Sequence, residues 1–374
     1  MAITVWLMTD IWNRAHAHLK NLVAYEPGKP VEEVARELGL EPADIVKLAS
    51  NENPLGPSPQ ALEAMHAALA QAQLYPDGGG YKLRTAIAAK FGLGKENIVL
   101  GNGSNEIIEF VGHAFLQPGD EVITAAHAFV VYKLMATLFG AKTVEVPDPG
   151  FKHDLDAMAA AITPRTREIF IANPNNPTGT LCHQEEIDRF MKKVPEDVIV
   201  IFDEAYYEFL DEPLNTLKYV KEGRNVVIMR TFSKIQGLAG LRIGYGMAPA
   251  HLAEILQKTR QPFNANAVAQ AGALAGLQDD LHIERTREVN REGRAFLQGI
   301  FTELGLEFVP SHANFVLVKV GDGDALFHAA MRKGVILRAM RSYNLPEWIR
   351  VSVGTMDQNR KFNRVLREWL AERA

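Results

Sequence analysis

The stretch Val198-Ile-Val-Ile-Phe-Asp-Glu-Ala-Tyr206 decides the fold of this chain. Its first five residues are all β-branched or aromatic, which predicts a buried strand. Two carboxylates, Asp203 and Glu204, and the hydroxyl of Tyr206 follow where this strand ends. A carboxylate in that place can simply cap a helix. It is also where ligands bind in open α/β sheets, because the ligand crevice lies at the carboxyl ends of the strands.

Short β-rich runs lie on both sides of this stretch, and helical segments separate several of them. The other runs are Glu121–Thr124, Thr143–Val146, Ile169–Ala172 and Val226–Arg230. The candidate helices are Asn105–Leu116, Gln184–Val194 and His251–Lys258. Strands spaced in this way need crossover helices and indicate a mostly parallel sheet. We therefore predict an α/β fold with a large domain over residues 51–265.

The two ends of the chain have a different pattern. After the large domain, helices alternate with short apolar runs, which predicts a smaller α+β domain over residues 266–374. Its predicted elements are Ala267–Leu277, His282–Leu304, Asn314–Val318, Ala325–Lys333, Val335–Leu337, Ile349–Val353 and a last helix to Ala374. Residues 1–50 are predicted to form an arm and part of this smaller domain. Helical spacing is found there at residues 11–24 and Val31–Leu38, and again at Ala61–Gln71 beyond a proline-rich loop.

Composition and charge argue against several classes of function. The formal net charge is -5 and like charges form no long run, so a nucleic-acid partner is not expected. No uninterrupted apolar stretch approaches the roughly 18 residues of a membrane span, which predicts a soluble protein. The single cysteine, Cys182, fits a reducing compartment such as the cytoplasm. The histidines lack the spacing of a zinc site, so no metal is expected.

A turn of small residues, Gly101-Asn-Gly-Ser-Asn-Glu106, leads directly into a predicted helix. Small residues let backbone amides approach an anion, and the amino end of a helix favours negative charge, so a phosphate fits there. The same turn could cap the helix without any ligand. The turn is not followed by the Gly-Lys-Ser/Thr of a nucleotide-binding loop, and Gly237–Gly246 lacks the glycine spacing of a dinucleotide site.

A lysine follows another predicted strand in the segment Arg230-Thr-Phe-Ser-Lys234. A lysine in a loop is usually only solvated, but this one lies where several polar strand ends converge. An amine with a lowered pKa can form a Schiff base with an aldehyde and then move a proton. Asp203 could pair with a protonated pyridine nitrogen and keep such a ring electron-poor. The rigid loop Asn173-Pro-Asn-Asn-Pro-Thr-Gly179 could direct an amide at the same ring, although it could also be a plain turn.

Four segments resemble, in their order and spacing, the fold-type-I aminotransferases that use pyridoxal 5′-phosphate: Asn173–Gly179, Asp203–Tyr206, Thr231–Lys234 and Gly237–Arg242. Five others resemble, more narrowly, the histidinol-phosphate aminotransferases: Tyr25–Pro30, Leu48–Gly56, Tyr75–Gly78, His127–Tyr132 and Ile349–Gly354. The resemblance begins at about residue 19 and runs to the carboxyl terminus. It implies pyridoxal phosphate as the cofactor and the fold of the aspartate aminotransferases.

The resemblance also implies roles for individual residues toward the cofactor. Lys234 would bind its aldehyde covalently, Asp203 would pair with its pyridine nitrogen, and Phe129 would stack on its ring. Tyr206 and Asn176 would bond the phenolic oxygen of the ring. The implied ligands of the cofactor phosphate are Ser104, Asn105, Thr231, Ser233 and Arg242, together with Tyr75 from a neighbouring subunit. A homodimer with shared active sites is therefore expected.

For the substrates, the resemblance implies a ping-pong transfer from histidinol phosphate to 2-oxoglutarate, which gives imidazole-acetol phosphate and glutamate. Arg350 would hold the α-carboxylate of the amino acid through a bidentate pair, a task for which a guanidinium is better suited than an ammonium. Arg338 and Tyr25 would bind the phosphate of histidinol phosphate. Asn176 would lie beside the substrate as well as the cofactor.

The chain departs from the family pattern just after the lysine, where Ile235 and Gln236 replace the expected Ala-Tyr. We expect these two residues at the entrance of the site, where they would affect substrate preference. An aromatic aminotransferase is therefore an alternative, because an imidazole and a phenyl ring differ little in an apolar pocket. The same lysine and aspartate also fit a decarboxylase of a phosphorylated amino acid, and the fold would also suit a non-catalytic sensor or assembly module.

Overall fold

The computed structural model describes residues 11–24 and 28–373. In these ranges the helices are α1 (Val31–Leu38), α2 (Pro59–Leu69), α3 (Tyr81–Phe91), α4 (Ser104–Phe115), α5 (Val131–Leu138), α6 (Leu155–Ala160), α7 (Gln184–Met191), α8 (Leu217–Lys221), α9 (Ala250–Thr259), α10 (Ala267–Gln278), α11 (Asp280–Glu303), α12 (Gly323–Arg332) and α13 (Met356–Ala371). The strands are β1 (Val46–Lys47), β2 (Ile98–Gly101), β3 (Glu121–Ala125), β4 (Lys142–Val146), β5 (Thr166–Ala172), β6 (Ile199–Asp203), β7 (Val226–Thr231), β8 (Gly244–Met247), β9 (Phe308–Val309), β10 (Phe315–Lys319), β11 (Val335–Ile336), β12 (Arg338–Ala339) and β13 (Trp348–Ser352).

The central sheet has the strand order β2-β8-β7-β6-β5-β3-β4 among the described residues. All neighbours pair in parallel except β8, which is antiparallel to both β2 and β7. The predicted α/β architecture with a mostly parallel sheet is thus confirmed. Asp203, the last residue of β6, pairs in register with Ala172 of β5 and Met229 of β7, so the three strands end close together.

Apolar side chains cover both faces of this sheet. On β6, Val200 and Phe202 belong to one hydrophobic cluster, whereas Ile199 and Ile201 belong to the cluster on the opposite face. This alternation follows from the two-residue period of a strand. A strand that is buried on both faces in this way holds the polar residues at its end in a fixed place. Asp203, the last residue of β6, is held in this way.

A second sheet, β12-β13-β10-β9, lies in the carboxyl-terminal part of the chain. Its core includes Val316, Ile349 and Val351, and Leu48 from the amino-terminal part packs into the same cluster. Near Leu48, β1 pairs in parallel with β11. The grouping is consistent with the expected smaller domain, whose boundaries at residues 50 and 265 stay a prediction. No described helix combines the length and the apolar character that a bilayer crossing requires.

The predicted elements differ from the observed ones in a few places. Most bounds shift by up to three residues. The prediction of a helix at residues 11–24 is wrong. Two short 3₁₀ helices, Ile11–Asn13 and Ala17–Asn21, are found there, and His16 between them has non-helical backbone angles. Strand β8 was not predicted, because its sequence Gly-Tyr-Gly-Met has low β-propensity. Helices α3, α5, α6 and α8 and strands β1, β2, β9 and β12 were also not predicted from the sequence pattern.

Candidate active site

A cavity of about 270 Å³ lies at the carboxyl ends of β5, β6 and β7, whose last residues all line it. This is the position expected for a ligand crevice in an open α/β sheet. The structure brings most of the predicted site residues together around this one cavity. Those that line it are Ser104, Asn105, Phe129, Asn176, Asp203, Tyr206, Thr231, Ser233, Lys234, Arg242, Arg338 and Arg350.

Lys234 follows β7 and presents its amine to the cavity. The amine donates a hydrogen bond to the backbone oxygen of Ser50 at 3.1 Å. Desolvation, assisted by the guanidinium of Arg350, lowers the pKa of Lys234 to about 8. A substantial fraction of the amine is therefore neutral near physiological pH, which is the state that attacks an aldehyde or accepts a proton.

Asp203 is a buried carboxylate with a defined hydrogen-bond partner. The hydroxyl of Tyr132 donates to Asp203 Oδ2 at 2.6 Å, and the amide of Ala205 donates to Oδ1 at 3.2 Å. Burial raises the pKa of Asp203, and the bonds from Tyr132 and Ala205 act in the opposite direction. The phenol ring of Tyr132 stacks on Phe170 at 4.4 Å, which fixes its direction. The carboxylate can therefore bind a cationic ring nitrogen.

Residues 49–51 touch three side chains of the cavity in succession. The backbone oxygen of Ala49 accepts a hydrogen bond from Arg350 Nη2 at 2.7 Å, and the backbone oxygen of Ser50 accepts one from Lys234. The side chain of the third, Asn51, donates from Nδ2 to the hydroxyl of Tyr206 at 2.9 Å. This short segment connects the carboxyl-terminal sheet to the lysine and tyrosine of the central sheet.

The backbone at the amino end of α4 forms a narrow cradle. Gly103 has φ +81°, and a Cβ atom there would lie 2.3 Å from Arg242 Nη2. A Cβ atom at Gly244 would lie 2.5 Å from the backbone nitrogen of Ser104. Any larger residue at these two positions would clash. With glycine there, the free amides at the start of α4 and the guanidinium of Arg242 can lie close together around the cradle.

Hydroxyl groups complete this cradle. Thr231 Oγ1 donates to Ser233 Oγ at 2.9 Å, and Arg242 Nη1 lies 3.5 Å from the same serine oxygen. Backbone amides at a helix start, two hydroxyls and a guanidinium are the donors that a phosphate dianion requires. Together with Lys234 and Asp203, they fit the phosphate, aldehyde and ring nitrogen of pyridoxal phosphate.

Two arginines that line the cavity lie opposite each other on neighbouring strands. Arg338 of β12 and Arg350 of β13 are partners in the antiparallel register, and both line the cavity. Arg350 is buried and donates a short hydrogen bond to Asn176 Oδ1. Like charges directly opposite each other destabilise a strand pair. Such a register is therefore expected where a strongly anionic ligand binds between the two side chains.

Two predicted site residues lie elsewhere. Tyr75 is 83% exposed, is not among the residues that line the cavity of its own chain, and stacks on Phe263 at 4.8 Å. Tyr25 falls outside the described residues, so its predicted contact with the substrate phosphate stays a prediction.

The expected position of Ile235 and Gln236 is wrong. Both are buried, and neither is among the residues that line the cavity. Ile235 packs in a cluster with Tyr206 and Phe315, behind the lysine. The side chain of Gln236 packs toward Gly276 of α10. The chain turns directly after Lys234, so these residues support the lysine loop from the protein interior and do not form the entrance.

Eleven further residues of the described ranges border the cavity, and the sequence pattern predicted no role for them. Those with polar side chains are Ser50, Asn51, Glu52, Tyr132 and Tyr343. Tyr132 could have been noticed from its position one helical turn after Phe129. Asn51 has φ +55°, a left-handed conformation that asparagine adopts more readily than most residues. It lies in the family-like segment Leu48–Gly56, but no pattern in that segment predicted its contact with the cavity.

Comparison with known proteins supports the same interpretation of the site. The histidinol-phosphate aminotransferase of Akkermansia muciniphila is 56% identical over 357 residues, which cover 95% of this chain and 98% of that protein. The histidinol-phosphate aminotransferase of Moorella thermoacetica is 48% identical, over 93% of this chain and 90% of that protein. A crystal structure of histidinol-phosphate aminotransferase from Sinorhizobium meliloti in complex with pyridoxal-5′-phosphate superimposes with a TM-score of 0.85. Its sequence is 26% identical, and the match covers 95% of this chain and 98% of that one.

A family-wide sequence comparison gives the same result. The aminotransferase class I and II family matches residues 43–366, which include the cradle, the lysine, the aspartate and both arginines. The structural likeness confirms the predicted fold type I. The chain therefore belongs to the class I and II aminotransferase family.

Proposed function

We propose that this aminotransferase uses pyridoxal phosphate to transfer the amino group of histidinol phosphate to 2-oxoglutarate. The products are imidazole-acetol phosphate and glutamate. The observation that carries this proposal is the pair Arg338 and Arg350, opposite each other in the cavity that also contains Lys234. One substrate carries a phosphate and the other two carboxylates, so both need strong cationic binding away from the lysine. The names of the relatives support the same substrate.

The cofactor would be held along its whole length by residues of the cavity. The cradle formed by Ser104, Asn105, Thr231, Ser233 and Arg242 would bind the phosphate. Asp203 would bind the ring nitrogen, Phe129 would cover one ring face, and Asn176 and Tyr206 would face the ring oxygen. When bound, the cofactor supplies an electron-poor ring that stabilises negative charge at the α-carbon of the substrate.

Lys234 would act as the base and acid of the reaction. Its pKa of about 8 makes the amine neutral often enough to remove the proton from the α-carbon of the amino donor. Arg350 would orient that donor, because its guanidinium is held in place by Asn176 and by the backbone oxygen of Ala49. A fixed guanidinium loses little freedom when the substrate binds, so orientation is set before the proton moves.

A substitution at Arg338 distinguishes histidinol phosphate from an aromatic amino acid as the substrate. In Arg338→Gln the cavity loses a cation, so we expect kcat/KM for histidinol phosphate to fall by about 10- to 100-fold, the effect of one lost charged hydrogen bond. Phenylalanine has no phosphate, so its kcat/KM should change little. A coupled assay with histidinol phosphate, phenylalanine and aspartate as donors to 2-oxoglutarate measures the difference.

The matched control is Arg341→Gln. Arg341 is an exposed arginine three residues further along the chain, and it pairs with Asp324. This variant should keep wild-type kinetics with all three donors. Equal losses for histidinol phosphate and phenylalanine in Arg338→Gln would contradict the proposed substrate and favour an aromatic aminotransferase.

A homodimer with shared active sites is part of the proposal. Tyr75 and Phe263 stack in an exposed position, and Leu69, Leu74 and Tyr81 from the same stretch of chain are also exposed. Exposed apolar side chains in such number are typical of an interface between subunits. In this arrangement Tyr75 would reach the cofactor phosphate of the neighbouring subunit.

Mixing two inactive variants tests the shared site. Co-expressed Lys234→Ala and Tyr75→Ala chains form hybrid dimers in which one of the two sites keeps both Lys234 and the tyrosine of the neighbour. We expect such hybrids to be more active than either parent dimer, measured with differently tagged chains after tandem purification. Activity no higher than that of the Tyr75→Ala parent would mean that Tyr75 does not serve a neighbouring subunit.

We also propose a cytoplasmic location. The only cysteine of the sequence, Cys182, cannot form a disulfide within the chain, which fits a reducing compartment. It is buried, and burial raises the pKa of its thiol to about 12, so the thiol is unreactive. The fold therefore depends on no oxidising environment.

A further inference from the structure

Asn51 occupies a buried position between the two sheets. It is 1% exposed and has φ +55°, and its side chain lies between the hydroxyls of Tyr206 and Ser352. Its backbone oxygen accepts from Asn314 Nδ2 at 3.0 Å. Both the backbone and the side chain of Asn51 are thus held by neighbours that are distant in the sequence.

Ser352 decides which way the amide of Asn51 points. The backbone N–H of Asn51 donates to Ser352 Oγ at 2.8 Å, so the proton of that serine is free for another acceptor. That acceptor is Asn51 Oδ1 at 2.9 Å. In the reversed orientation two N–H donors would face one hydroxyl. The closed ring of bonds therefore directs the NH₂ group of Asn51 toward Tyr206.

The direction of the amide determines what Tyr206 can do. Its oxygen accepts the hydrogen bond from Asn51 Nδ2 at 2.9 Å. A phenol has one proton, which must point away from the group that donates to its oxygen. Burial raises the pKa of Tyr206 to about 12, so this proton is present throughout the physiological range. Tyr206 lines the cavity beside Lys234, and the proton is available to a ligand there.

We propose that Asn51 is a positioning residue that directs the hydroxyl proton of Tyr206 toward the ring oxygen of the cofactor. The inference rests on the proposed use of pyridoxal phosphate. Ser352 acts one step further away, because it orients the amide. A hydrogen bond donated to the ring oxygen stabilises its anionic form, and this lowers the pKa at which the lysine-bound cofactor loses its proton.

The test is a pH titration of the visible absorbance of the lysine-bound cofactor in the Asn51→Gly enzyme. Glycine adopts positive φ without strain, so the change removes the amide and keeps the backbone. We expect the titration midpoint to rise by about one pH unit, the effect of one lost hydrogen bond. In a Tyr206→Phe background the same change should cause no further rise, because Asn51 acts through the tyrosine hydroxyl.

Asn344→Gly is the matched control. Asn344 also has positive φ, at +59°, and is exposed. Its substitution should leave the midpoint unchanged. A second variant, Ser352→Ala, removes the group that orients the amide and should raise the midpoint in the same direction by a smaller amount. If circular dichroism finds the Asn51→Gly protein unfolded, the titration of Ser352→Ala tests the role of Asn51 instead.

The possible results separate this inference from the proposed function. A wild-type protein that binds no pyridoxal phosphate would contradict the proposed function itself. A wild-type protein with a normal titration, together with an unchanged midpoint in Asn51→Gly and Ser352→Ala, would overturn only the role of Asn51. An equal rise with and without the Tyr206 hydroxyl would also overturn it.

Discussion

Tyr132 and Asp203 form a buried pair that lines the cavity, and their hydrogen bond of 2.6 Å is the main interaction that opposes the rise of the carboxyl pKa caused by burial. Burial alone favours the neutral acid, which could not bind a cationic ring nitrogen. In the proposed site, the tyrosine would therefore act on the ring nitrogen of the cofactor through the aspartate. In the further inference above, Asn51 and Ser352 would act on the ring oxygen in the same indirect way, through Tyr206.

Tyr132→Phe tests this pair by its effect on pH dependence. In the proposed function Asp203 binds the cofactor as an anion, so we expect activity to fall as the pH drops through the pKa of Asp203. Burial raises that pKa, and loss of the tyrosine bond raises it further. The acid limb of the profile of kcat/KM against pH should therefore move up by about half to one pH unit. The phenyl ring keeps its stacking on Phe170.

The control for this prediction is Tyr219→Phe, which also removes a tyrosine hydroxyl that donates to an aspartate. Tyr219 bonds Asp188 at 2.5 Å, outside the cavity. Its pH profile should match that of the wild type. If the acid limb stays in place in Tyr132→Phe, the ionisation of Asp203 does not depend on Tyr132.

At the scale of the elements, the register of the central sheet and the amino end of α4 determine where the parts of the site lie relative to one another. Strands β5, β6 and β7 end at nearly the same level, which puts Asp203 beside the lysine loop. Strand β8 runs antiparallel between β2 and β7 and carries Gly244, over which the amino end of α4 lies closely. The phosphate cradle is thus a product of strand and helix packing.

Gly103→Ala tests the cradle. The added Cβ would overlap Arg242 Nη2, 2.3 Å away, so the guanidinium must move out of the cradle. We expect the Kd for pyridoxal phosphate to rise by about 10-fold or more, in line with one lost charged hydrogen bond. A fluorescence titration of the cofactor-free enzyme measures it.

Gly119→Ala provides the comparison for this change. Gly119 also has positive φ, at +97°, but a Cβ atom there would have no atom within 4 Å. Both variants should lose similar thermal stability from backbone strain, and only Gly103→Ala should bind the cofactor more weakly. Similar affinities in the two variants would mean that strain and not the lost space is responsible.

At the scale of the whole molecule, the two ends of the central sheet serve different purposes. The carboxyl ends of the strands carry the site, whereas Glu168, near the amino end of β5, is buried away from it. One oxygen of its carboxyl group, Oε1, has no hydrogen-bond partner among the described residues. Burial, with a contribution from Asp120, raises the pKa of Glu168 to about 8 from an ordinary value of 4.5.

This raised pKa predicts how stability depends on pH. The folded protein keeps the proton of Glu168 up to about pH 8, whereas the unfolded chain loses it near pH 4.5. The stabilisation is complete below the lower value and is lost as the pH rises through the upper one, by up to about 1.4 kcal/mol per pH unit. Glu168→Gln lacks this ionisation, so it should lose less stability than the wild type between pH 5 and pH 8.

Thermal unfolding of the cofactor-free protein at the two pH values measures the effect. The wild-type midpoint should fall further than that of Glu168→Gln, and Glu145→Gln, which changes a more exposed glutamate of β4, should follow the wild type. Parallel changes in all three proteins would mean that Glu168 is not protonated in the folded state.

Much of the fold and of the cofactor site could be predicted because the information is local. The apolar runs that became β5, β6 and β7 contain their own strand signal, and Lys234 and Asp203 follow directly where two of them end. A polar residue at the carboxyl end of a buried strand reaches the same crevice whatever the rest of the chain does. Asp203, Thr231 and Lys234 reach the cavity for this reason. Most of the other predicted residues that line the cavity were implied by the resemblance to a known family.

Only the tertiary structure decided the contacts between segments that are far apart in the chain. Asn51 meets Tyr206 across 155 residues, and Arg338 faces Arg350 because of the antiparallel register of β12 and β13. A shift of one residue in that register would turn one arginine to the other face of the sheet. Ile235 likewise is adjacent to the lysine in sequence but is buried behind it. The sequence by itself determined the residue types on which the cofactor chemistry depends. Strand register and packing determined how those side chains are oriented, because their orientation depends on neighbours that no local sequence pattern encodes.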